Sequence, residues 1–69
     1  MLSDKKSILE KAAQKGDTEA IFQLGLMYWE GNDVEPDFEK AKNLIGAAKR
    51  KGHPVADMYW DIIQSNVEV

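Results

Sequence analysis

The chain has no cysteine, which removes disulfides, thiolate metal sites and cysteine nucleophiles, and leaves no need for an oxidising compartment. It has one histidine, His53, and no serine or carboxylate is tied to it by a recognisable catalytic spacing. His53 precedes Pro54, which suits a turn or helix-cap residue. No stretch approaches the roughly 18 apolar residues of a membrane helix, and charge begins at Asp4, so neither a span nor a secretory leader is expected. The expected address is cytoplasmic. Strand-like alternation is absent, so no glycine-rich phosphate loop can follow a strand. Positive charge is also short: nine Lys and Arg leave a net charge of −3, giving no overall electrostatic reason to bind nucleic acid. With 69 residues the chain makes one domain, spanning 1–69, and a domain of this size buries only about 60% of the surface its unfolded chain exposes.

What is present has a helical period. Ile8, Leu9, Ala12 and Ala13 make one apolar stripe, with Ser3 or Asp4 as cap and Gly16 as stop, predicting a first helix over about 4–15. Asp17 caps a second over about 18–30, with Glu19 in its first turn and Gly31 closing it. The turn-rich segment "GNDVEP" leads to Asp37, the cap of a third helix over about 37–51 whose buried stripe is Phe38, Ala41, Leu44, Ile45 and Ala48. Lys49, Arg50 and Lys51 complement its negative dipole end before Gly52. Pro54 suits the first turn of a fourth helix, over about 54–65. The expected class is all-α: four short helices whose tight connections make neighbours antiparallel.

The helices repeat. A shift of 36 residues sets Ala12 on Ala48, Lys15 on Lys51, Gly16 on Gly52 and Ala20 on Ala56, with Ile8 and Leu9 on Leu44 and Ile45. A fixed period in this range marks a helical array. Glycine inside a helix costs about 1 kcal/mol relative to alanine, so Gly25 needs an offsetting gain. Close approach of a crossing helix supplies one, since Ala20, Ala41 and Ala48 are also small. Tyr28 offers an aromatic body to the core and a polar hydroxyl.

The run Ala20-x-x-x-Leu24-Gly25-x-x-Tyr28-x-x-Gly31-x-x-Val34-x-x-Asp37-x-x-Lys40-Ala41, followed by Ala47, Ala48 and Gly52, resembles the Sel1-like repeat, a relative of the tetratricopeptide repeat. The resemblance covers about one repeat, 17–52, with half-repeats on either side. It implies a right-handed stack of antiparallel helix pairs serving as a non-catalytic protein-interaction scaffold. The fourth helix departs from it: where the repeat wants Leu-Gly-x-x-Tyr, the chain has Trp60-Asp61-x-x-Gln64, and Asp61 cannot permit the approach that Gly25 permits.

Two helices carry more apolar residues than one buried stripe needs. On the second, Phe22, Leu26 and Trp29 form an extra line with Met27 beside it. On the fourth, Val55, Ala56, Met58, Tyr59, Trp60, Ile62 and Ile63 cover most of the circumference, leaving Asp57, Asp61, Gln64 and Ser65. All the Lys and Arg fall on the first and third helices. A repeat stack in which the second and fourth helices lie side by side would present one layer that is acidic and aromatic, and one that is basic. Phe22, Leu26, Met27, Trp29, Tyr59, Trp60, Asp57 and Asp61 are therefore the expected partner-binding residues, because apolar surface in excess of a core, with Trp and Tyr in it, marks interfaces.

Other clusters have plain explanations. Lys49, Arg50 and Lys51 read as a solvated helix end. Asp33, Glu35, Asp37 and Glu39 lack the glycine and the terminal glutamate of a calcium loop and read as a turn and a cap. No catalytic, cofactor or metal residues are expected. The expected function is a non-catalytic interaction module, an adaptor or an inhibitor or immunity-type protein docking on one folded partner. A homodimer using the same apolar surface is the alternative, and weak nucleic-acid binding through the basic helices is a second.

Overall fold

The computed structural model describes residues 5–67, with side-chain surroundings described through residue 65. The order is α1 (Lys5–Gln14), α2 (Thr18–Glu30), α3 (Phe38–Arg50) and α4 (Pro54–Val67), and no strand occurs among the described residues. The predicted boundaries agree to within a turn; α4 runs further than expected, and the proposed caps Ser3 and Asp4 lie outside the described residues.

Capping chemistry explains where the other helices start and stop. Asp17 accepts a hydrogen bond from the Ala20 amide at 3.2 Å, and Asp37 accepts one from the Lys40 amide at 3.1 Å. Each satisfies one of the amides left orphaned by a helix start. Gly31 ends α2 at φ 73°, its amide donating to the Met27 carbonyl at 2.8 Å. The loop then folds back, and the Asp37 amide donates to the Tyr28 carbonyl at 3.0 Å. A Cβ at position 31 would stand 2.6 Å from Pro36 Cγ, so glycine is required there on both conformational and steric grounds.

Each helix packs against its neighbours in sequence: α1 on α2, α2 on α3, α3 on α4. Joined by short connections, packed neighbours run antiparallel. The extents of 41 × 25 × 14 Å match a row of four helices, each about 10 Å across. The extensive packing is between successive helices, with α2 and α4 each lying on α3, while side chains of α2 and α4 share one cluster, Ile21 and Phe22 with Ala56 and Ile63. α2 and α4 meet at Phe22, whose ring lies edge-on to Tyr59 at 5.3 Å.

Two adjoining apolar clusters form the core. One holds Ile21, Phe22, Ile45, Ala48, Ala56 and Ile63; the other holds Leu24, Met27, Tyr28 and Ala41. Ile45 and Ile63 are wholly enclosed. The crossing of α2 on α3 is close because Gly25 has no side chain: a Cβ there would lie 2.6 Å from Ile45 Cγ1 and 3.3 Å from the Ile45 backbone nitrogen. A second close crossing, missed from the sequence, joins α3 to α4, where a Cβ on Gly46 would lie 2.8 Å from Trp60 Cζ3. Phe38 also departs from expectation. It is 43% exposed and tilts against Trp29 at 5.2 Å, at the first residue of α3, where only one side of the ring meets α2.

Candidate interaction surface

The residues expected to meet a partner divide by their burial. Phe22 and Met27 are corrected to core positions, at 5% and 4% exposure. The physical reason is that α2 has several intramolecular neighbours: Met27 lies in the cluster that Leu9 and Ala13 of α1 and Leu44 of α3 pack against, and Phe22 is covered by His53 and by Tyr59 of α4. Leu26, Trp29 and Tyr59 are half-buried against the core. Trp60 is half-buried with its ring over Gly46. Of the expected set, Asp57 and Asp61 are the exposed members.

The residues expected as repeat positions are mostly buried. Ala20, Leu24, Gly25, Tyr28, Ala41 and Ala48 are buried, Gly31 is half-buried, and Gly52 turns the chain after α3 at φ 97°. Lys40 places its ammonium 4.9 Å from the centre of the Tyr28 ring, an attractive arrangement at the edge of the core.

The apolar surface left open lies elsewhere on α4. Met58 is 64% exposed, Ile62 50% and Val55 41%. Their spacing of i, i+3 and i+7 aligns them along one side of the helix, while Ala56 and Ile63 are buried in the core. Asp57 and Asp61, four residues apart, form an adjacent acidic line. α4 is therefore apolar in two directions, as its composition indicates, but none of the described residues covers the second. The sequence reading did not single out Val55, Met58 or Ile62, although the 36-residue shift sets Met58 and Ile62 on Phe22 and Leu26, which sit in or against the core.

His53 organises the base of α4. Its Nδ1 accepts from the Ala56 amide at 3.1 Å, its carbonyl accepts from the Asp57 amide at 3.2 Å, and its Nε2 lies 2.7 Å from Glu19 Oε1. An accepting Nδ1 puts the proton on Nε2, which then donates to the Glu19 carboxylate. The ring stacks on Phe22 at 4.5 Å. The residue caps α4 and ties it to the start of α2. Gln23 donates to the other Glu19 oxygen at 2.8 Å. Hydrogen bonds from Gln23 and then His53 hold the Glu19 carboxyl below its usual range. Lys49, from the basic triplet, reaches Asp57 at 3.7 Å between exposed side chains.

With this geometry established, comparison with known proteins adds no relative: no family model, no curated protein and no solved structure matches the chain. No helix among the described residues is long and apolar enough to cross a membrane.

Proposed function

We propose that this chain is a small non-catalytic protein-interaction module of Sel1-like repeat type, an adaptor or inhibitor working in the cytoplasm. Its docking surface is the open side of α4. The observation that carries this reading is the stripe Val55, Met58 and Ile62, between about two-fifths and two-thirds exposed, on a helix whose other apolar side is already committed to the core. A continuous apolar line edged by carboxylates suits the apolar face of an amphipathic helix bearing basic residues. The repeat assignment is supported by the 36-residue equivalences and by the Gly25 to Ile45 crossing. The non-catalytic assignment is supported by His53, both of whose ring nitrogens are engaged.

The test is capture of a stoichiometric partner on immobilised protein, repeated with Met58→Asp and Ile62→Asp. Both positions are solvent-exposed, so the variants are expected to keep their helical circular dichroism and lose the partner. A partner retained by both folded variants would remove α4 as the docking surface.

A further inference from the structure

We propose that the occupant of the open α4 face is α1 of a second copy of this chain, stacked head to tail; this rests on the reading of α4 as the docking face. Within the chain, α2 is followed in the row by α3, and Leu44 and Ile45 of α3 close over Gly25. The 36-residue shift sets α4 on α2 and α1 on α3, so that Ile8 and Leu9 correspond to Leu44 and Ile45. The helix that α4 lacks therefore has an equivalent in α1. Part of the α1 face that would make the contact is open: Leu9 is half-buried against the core, but Ile8 is 59% exposed and lines a shallow open groove with Lys11, Ala12, Lys15 and Asp17.

Charge favours the same pairing. Lys11 and Lys15, both exposed, lie with Ile8 at the spacing of one helix face, while exposed Asp61, and Asp57 with its partner Lys49, edge the stripe on α4. The α1 groove carries two lysines against the single Asp17, and Asp61 beside the Lys49–Asp57 pair leaves the α4 edge acidic, so the balance of charge favours α1 on α4 over either face on itself. Asp61 replaces the glycine of the internal crossing, so this junction is wider than α2 on α3 and is held in part by Lys–Asp pairs.

The two open faces lie at opposite ends of a row 41 Å long. Two copies cannot satisfy both contacts at once, and a heterologous contact of this kind does not close on itself. Growth by addition of copies is the consequence.

Sedimentation velocity on the full chain across micromolar to millimolar concentration tests this. The mean mass should rise above 7.8 kDa with no plateau at two chains. Ile8→Asp and Met58→Asp should each be monomeric alone. Mixed in equal amounts, they should form a complex that stops at two chains, because one retains a live α4 face and the other a live α1 face. A wild-type chain that stays monomeric throughout overturns the proposal, as does Ile8→Asp associating as strongly as wild type, which would assign an α4-to-α4 contact. If the wild type is monomeric but loses a captured partner through Met58→Asp, the docking face stands and only its occupant is wrong. If partner capture also survives Met58→Asp, both readings fall.

Discussion

Gly25 of α2 and Ile45 of α3 meet so closely that a Cβ on residue 25 would stand 2.6 Å from Ile45 Cγ1. Ile45 is fully enclosed and cannot swing aside, and its backbone nitrogen lies 3.3 Å from the same point. Alanine would gain about 1 kcal/mol in helix propensity, but overpacking a filled core costs typically about 1–3 kcal/mol. Gly25→Ala should therefore be destabilised in urea denaturation, and Gly25→Leu more so. An alanine variant more stable than the wild type would mean that the crossing has slack.

The second crossing, Gly46 beneath Trp60, predicts coupling between two residues. Gly46→Ala should lower the melting temperature, since its Cβ would meet the indole ring at 2.8 Å. Trp60→Leu should remove most of that penalty. The coupling energy from a double-mutant cycle is expected to fall within about 0.5–3 kcal/mol, the range for residues in contact. Additive effects would place the ring away from Gly46.

His53 predicts a graded series. His53→Ala removes the acceptor for the Ala56 amide and should cost about 1 kcal/mol as a lost cap, besides the contact with Phe22. His53→Asn restores a capping oxygen and should recover part of the loss. Nitrogen-15 shifts of the imidazole in the neutral protein should report the proton on Nε2; a proton on Nδ1 is incompatible with the cap.

Glu19 gives the pH dependence. Hydrogen bonds from Gln23 and His53 lower its folded-state pKa below the usual glutamate value of 4.5. In this acid window the unfolded chain takes up the proton more readily than the folded one. The Glu19 contribution to stability is therefore fully present above about pH 5 and is lost as pH falls through its lowered folded-state value. Denaturation midpoints measured down through this window should converge for the wild type and Glu19→Gln. Parallel curves would show that the carboxylate contributes nothing to the pH dependence.

The surface of α4 predicts a dissociation of stability from binding. Met58→Asp changes an exposed residue and should shift unfolding by no more than about 0.5 kcal/mol. Ile63→Asp, one turn and a fraction further along but wholly enclosed, should unfold the domain. Similar losses for the two variants in thermal denaturation would mean that the Met58 side of α4 is packed in solution.

By itself the sequence determined the local structure. The caps Asp17 and Asp37, the stop at Gly31 and the helical stripes depend on interactions within a few residues, so their positions follow from residue order. It also determined that Gly25 marks a close crossing, because an internal glycine in a helix needs a gain to offset its cost. What only the tertiary structure decided was which apolar residues are covered. Helices α2 and α4 are both apolar in two directions, and their sequences do not reveal how many neighbours each has. α2 has α1 and α3 packed along it and Tyr59 of α4 over Phe22, and so Phe22 and Met27 are buried. α4 packs along α3 and touches α2 only at Phe22, through Tyr59, and Val55, Met58 and Ile62, on its other side, stay in water. Burial is set by the number of neighbours packed around a helix, which is a property of the whole assembly of helices and not of any one of them.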